Sequence, residues 1–151
     1  MPYSSIKNIK HREINMKNTD YFNEIGKNKL PAYMGINVID CTDTNIIAEM
    51  VIKQHHLAPN GYLHAGSVVT LADTACGYAC LANLPQTALG FTTIELKSNH
   101  LGTSTTGTII ATATPVHCGK STQIWDAVVT RKDDGKTIAV FRCTQMILYP
   151  K

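Results

Sequence analysis

Residues 64–83 constrain this chain more than any other stretch. They read His-Ala-Gly-Ser-Val-Val-Thr-Leu-Ala-Asp-Thr-Ala-Cys-Gly-Tyr-Ala-Cys-Leu-Ala-Asn. Nearly every position is small or apolar, which predicts one long helix without a polar face. A helix apolar all round is a buried helix, and Pro85 stops it. Asp73 stands in its middle and is the only residue of fixed charge between Lys53 and Glu95. A lone carboxylate among apolar groups is costly to bury, which marks Asp73 as a candidate functional acid. The plain alternative is a buried acid bonded to a neighbouring hydroxyl such as Thr70 or Thr74.

The flanks say what wraps this helix. Asn18-Thr-Asp-Tyr-Phe offers a cap and an acidic first turn for a short helix, with Tyr21, Phe22 and Ile25 on its apolar side and Gly26 and Pro31 ending it. Met34–Asp40 and Asn45–Gln54 read as strands. In the second, Ile46, Ala48, Met50 and Ile52 alternate with Ile47, Glu49, Val51 and Lys53, giving one cleanly apolar face. After the long helix the period is two throughout. Gly90–Leu96, Thr106–Thr114, Thr122–Arg131 and Thr137–Tyr149 are predicted strands rich in Thr, Val and Ile. Pro115–Lys120 reads as a link, and Asp133-Asp134-Gly135 as a hairpin turn. Strands and helices do not alternate, so the expected class is α+β, a curved antiparallel sheet around one long buried helix.

The 151 residues suffice for one domain with a sizeable core. That domain is expected over 18–151, with residues 1–17 as a disordered extension. A formal charge of +3 suits an anionic small molecule and lacks the clustered basic residues of a nucleic-acid binder. Five cysteines without CxxC spacing, and no apolar targeting segment ahead of them, imply reduced thiols and a cytoplasmic protein. Gly66–Leu84 approaches membrane-spanning length, but a carboxylate near its middle argues against insertion.

Asn60-Gly-Tyr-Leu-His-Ala-Gly-Ser-Val-Val-Thr-Leu-Ala-Asp-Thr-Ala resembles the signature of the PaaI-type acyl-CoA thioesterases, proteins of the hotdog fold. Their pattern is Asn-Pro-x-Gly-x-x-His-Gly-Gly followed by Leu-Ala-Asp-Thr-Ala. The similarity runs from Leu30 to Leu148, opening on Leu-Pro-x-x-x-Gly-Ile. Two positions depart from it. The family's Asn falls on Ala58, whose methyl cannot position a water or a carbonyl; Asn60 and His64 are the neighbours placed to compensate. The first Gly of His-Gly-Gly falls on Ala65, which keeps the backbone N–H.

The resemblance implies thioester hydrolysis with coenzyme A as part of the substrate and no further cofactor. Such chemistry needs a base or nucleophile at the carbonyl carbon and donors for the oxyanion. Asp73 supplies the first; the N–H groups of Ala65 and Gly66, in the helix's first turn, supply the second. Eight residues of helix separate them by roughly 12 Å, while reaction needs contact at about 3 Å. A working site therefore requires two helices paired antiparallel across a two-fold axis. The family resemblance implies the same homodimer, and often a homotetramer of two dimers.

For the phosphates of coenzyme A, Lys120 with Ser121 and Thr122 is the best candidate, ahead of Lys97 and His100; solvated loop lysines are the plain alternative. Gly119-Lys-Ser is not a P-loop, because the glycine required five residues earlier is Thr114. Cys76 and Cys80, with His55, His56 and His64, match no zinc spacing, and no metal is expected. Ser67 lacks the Gly-x-Ser-x-Gly elbow. The competing reading is a hotdog protein that binds acyl-CoA without hydrolysing it, and Ala58 keeps it open.

Overall fold

The computed structural model describes residues 17–151; the expected N-terminal extension lies almost wholly outside them. Asn18 caps α1 (Thr19–Ile25) by accepting from Tyr21 N–H through Oδ1. Gly26 ends α1 as expected. Pro31 does not stay in a loop: it opens a one-turn helix, α2 (Leu30–Tyr33), where a residue without an N–H is at home. Strands β1 (Ile36–Cys41) and β2 (Ile46–Val51) follow, then a 3-10 turn (Gln54–His56) and the long helix α3 (Ala65–Ala82). Four strands complete the chain: β3 (Gly90–His100), β4 (Thr108–Cys118), β5 (Thr122–Arg131) and β6 (Thr137–Leu148).

All six strands form one antiparallel sheet in the order β1-β2-β4-β5-β6-β3. Helix α3 packs against β2, β3, β4, β5 and β6. It is long and apolar enough to cross a membrane, but here it is the centre of a core. Small side chains bring it close to the sheet: Ala72, Ala75 and Ala79 on the helix, and Ala48, Ala111, Ala113, Ala127 and Ala139 on the strands, are all buried. Extra residues in β1, β3, β4 and β6 shift the register and bend the sheet round the helix. The architecture is the expected hotdog fold, an open curved sheet rather than a closed barrel.

Polar groups pin the helix at both ends. The His56 carbonyl accepts from His64 N–H at 3.0 Å and from Ser67 Oγ at 2.9 Å, tying the N-terminal turn to the preceding loop. At the other end, Gln123 Nε2 donates to the Asn83 carbonyl at 2.8 Å, and Gln123 Oε1 accepts from the buried Trp125 Nε1 at 2.9 Å. Each bond satisfies a group whose burial would otherwise cost about 1–3 kcal/mol.

The two sheet edges differ. At β1, Asn23 of α1 exchanges two hydrogen bonds with the Val38 backbone, so α1 stands in for a further strand. At the opposite edge, β3 is exposed along most of its length and carries Ile94 and Leu96 at 55% and 44% exposure. Among the described residues nothing covers that edge. A long exposed edge strand with unpaired backbone groups is a ready template for pairing with another chain.

Candidate active site

Asp73 lies on the flank of α3, half-buried, between the sheet-facing row and open solvent. Its Oδ1 is buried and accepts no hydrogen bond among the described residues. Thr70, one possible partner, turns its hydroxyl back to the Gly66 carbonyl at 2.7 Å. Burial pushes the Asp73 carboxyl above its usual range, because an ionised carboxylate there has lost water and gained no donor. Neither Thr70 nor Thr74 donates a hydrogen bond to Oδ1 among the described residues.

Helix periodicity places Gly77, one turn on, on the same strip as Asp73. A Cβ on Gly77 would lie 3.3 Å from Phe91 Cζ, so the aromatic ring at the start of β3 rests directly on the helix backbone there. The Asp73 strip therefore faces the β3 edge of the molecule.

The N-terminal turn of α3 is open, with His64, Ala65 and Gly66 all exposed. His64 is the N-cap, and its Nδ1 accepts from Gly66 N–H at 2.7 Å. Of the two amides expected to hold an oxyanion, Gly66's is thus engaged by the imidazole. No partner for Ala65 N–H is found among the described residues. Asn60 sits in the preceding turn, exposed, its Oδ1 accepting from Tyr62 N–H at 3.1 Å. Ala58 closes the same turn, donating to the Tyr62 carbonyl and accepting from Gly61, whose φ of 85° requires glycine.

The expected phosphate ligands fall elsewhere. Lys120, Ser121 and Thr122 form the β4–β5 hairpin beside the C-terminal end of α3. An 18-residue helix separates them from Asn60 and His64 by about 27 Å. Lys97 points to the outer sheet face, beside Arg142 and Asp126 and away from Asp73, and His100 ends β3. Ser67 is buried and bonded to His56. Cys76 and Cys80 are buried core residues, and among the described residues no three His, Cys, Asp or Glu groups converge as metal ligands.

A six-stranded antiparallel sheet curled round one long helix is the hotdog architecture. Residues 60–138 match the family model described as Thioesterase superfamily. The chain is 30% identical over 111 residues to the 1,4-dihydroxy-2-naphthoyl-CoA hydrolase of Listeria monocytogenes, covering 74% of this chain and 89% of that protein. It superposes on a mutant of thioesterase PA1618 from Pseudomonas aeruginosa with a TM-score of 0.83 and 27% identity, covering 87% and 94% of the two chains. The PaaI protein of Escherichia coli matches with a TM-score of 0.70 at 28% identity, over 78% and 83%. The chain belongs to the thioesterase superfamily.

Proposed function

We propose that the protein hydrolyses acyl- or aryl-CoA thioesters in a site shared between two subunits of a homodimer. The observation that carries this is the pairing of an unpartnered, buried Asp73 Oδ1 with an open helix N-terminus about 12 Å away on the same helix. Two helices side by side and antiparallel bring the partner's Ala65 against Asp73, twice per dimer.

In each site the Ala65 N–H of one chain would donate to the thioester oxygen as it becomes an oxyanion. Gly66 N–H joins it only if the His64 imidazole swings aside. Asp73 of the other chain removes a proton from water, which attacks the carbonyl carbon; the C–S bond breaks and Asp73 returns the proton to sulfur, so coenzyme A leaves as the thiol. Direct attack by Asp73 would use the same oxygen and pass through an anhydride. A single turnover in 18O-labelled water tests the second route: label in Asp73 marks the nucleophile, whereas the base route leaves Asp73 unlabelled.

The same antiparallel pairing runs the C-terminal half of each helix past the partner's 60–64 segment. Lys120 of one chain and Asn60 and His64 of the other then approach one site, although they are far apart within a chain. That supports Lys120, Ser121 and Thr122 as contacts for the substrate's phosphates, and Asn60 or His64 as the group standing in for the asparagine replaced by Ala58. The unpaired β3 edge supports the dimer. The exposed Val128, Val140, Met146 and Leu148 of the outer sheet face support a tetramer of two dimers. Five cysteines, all those described being free thiols, fit a cytoplasmic setting.

The test is free-thiol release from a panel of acyl- and aryl-CoAs, with Asp73→Ala as control. Release that depends on Asp73 is expected. Binding across the panel with no release above the variant would instead favour a non-hydrolytic acyl-CoA binder.

A further inference from the structure

His56 is completely buried behind the open N-terminal turn of α3, yet takes no part in the proposed reaction. It closes the 3-10 turn before that helix in two ways. Its N–H donates to the Lys53 carbonyl at 2.9 Å, and its Nδ1 accepts from Lys53 N–H at 3.0 Å. An antiparallel bridge between Leu57 and Leu63 then returns the chain to the same place. There the His56 carbonyl accepts from His64 N–H and Ser67 Oγ, the two bonds that seat the first turn of α3. Ring, turn and helix terminus are joined through one residue.

The same geometry sets the charge of the ring. Because Nδ1 accepts a hydrogen bond, the single proton of the neutral imidazole sits on Nε2, which is buried without a partner among the described residues. A second proton has to enter at Nδ1, where it meets the Lys53 N–H. A hydrogen bond is then exchanged for two opposed donors in a buried site. The His55 ring stands 4.2 Å away, centroid to centroid. Burial, with His55 and Lys53, holds the His56 imidazole below its ordinary value of 6.5, against the pull of the Met34 and Val51 carbonyls. The His64 imidazole caps Gly66 instead. Residues 101–107, which bond across to Ile52 and Leu63, carry no titratable side chain.

Resting on the assignment of Ala65 N–H as oxyanion donor, we infer that His56 is a positioning residue for that donor, and that it holds the turn only while its ring is neutral. In acid the ring gains a proton and the Lys53 bond is lost. The turn loosens, and the His56 carbonyl no longer fixes the first turn of α3. Stability follows the same sign. A group whose value is lowered in the folded chain contributes stability that is complete above 6.5 and is lost as pH falls through the folded value.

The experiment compares the wild-type protein with His56→Asn and His56→Phe. An asparagine Oδ1 stands where Nδ1 does and takes no proton in this range; phenylalanine fills the space but offers Lys53 no acceptor. His56→Phe is expected to lower kcat by about tenfold or more with KM changed less, and His56→Asn to keep kcat within about threefold. Below 6.5, the fall of log kcat/KM with acid should be shallower in His56→Asn than in the wild type by about one proton. Asp73 and His64 titrate in both, so the difference belongs to His56. Hydrogen exchange across residues 57–68, corrected for its intrinsic pH dependence, reads the turn without substrate and serves if the phenylalanine variant does not fold. Protection is expected to fall in acid in the wild type and to hold in His56→Asn. The same acid limb and the same protection in these two proteins overturn the inference, as does full activity in a folded His56→Phe. Protection that falls in acid while the limb stays the same overturns the Ala65 assignment instead.

Discussion

Asp73 carries a cost to the fold and, in the proposed reaction, a use, and the two separate by pH. Its carboxyl pKa is raised in the folded chain by desolvation, so the folded state binds this proton more tightly than the unfolded one. Stability from this group is then complete below the ordinary carboxylate pKa and is lost as pH rises through the elevated value. At neutral pH the ionised group weakens the fold. Asp73→Asn is therefore expected to raise the melting temperature by a few degrees at pH 7, with little gain at pH 4. Differential scanning calorimetry at the two values checks it. The same substitution should lower kcat/KM by about 10²- to 10⁴-fold, the usual contribution of a positioned base. In the wild type, kcat/KM should fall as acid protonates Asp73, with a midpoint above 3.8, as a pH-rate profile reads directly. Asp73 was legible in the sequence because no other fixed charge lies near it. The engagement of Gly66 N–H by His64 was not, because an imidazole cap depends on a rotamer that spacing does not encode.

Among the elements, legibility followed burial. Helix α3 and strand β2 match their expected spans to within a few residues, since one is apolar throughout and the other alternates strictly. The far half of β3, Lys97–His100, carries no alternation because an edge strand has solvent on more than one side, yet it pairs with β6 to its end. Pro115 reads as a break, but β4 continues through it to Cys118. The β2–β4 ladder ends at Ala113, so Pro115 stands where β4 has no neighbour on that side, and a bulge follows it. The β3 edge also carries a prediction. Ile94→Lys together with Leu96→Lys places charge on the open strand, which should convert the protein to a monomer and reduce activity at least about a hundredfold. Sedimentation velocity and thiol release test both halves; a dimer that survives the double substitution means the chains pair elsewhere.

At the scale of the whole molecule, the proposed function gives one chain two half-sites rather than one site. Its helix N-terminus and its acid are too far apart to meet on one substrate carbonyl, and the hairpin at Lys120 is farther still from Asn60 and His64. The fold was readable from a single chain's pattern, but the proposed site would depend on a second copy, whose contacts leave no periodic trace. Subunit complementation tests this most directly. Ala65→Pro removes the free N–H at the first helical position, where proline is well tolerated, and Asp73→Asn removes the acid. Each variant alone should be nearly inactive. Unfolded together and refolded as a mixture, half the dimers pair one chain of each kind, and each of these rebuilds one intact site of its two. Recovery of about a quarter of wild-type thiol release is the expected result. Mixed dimers that form, as tagged chains would show, but recover no activity would contradict a site shared between subunits.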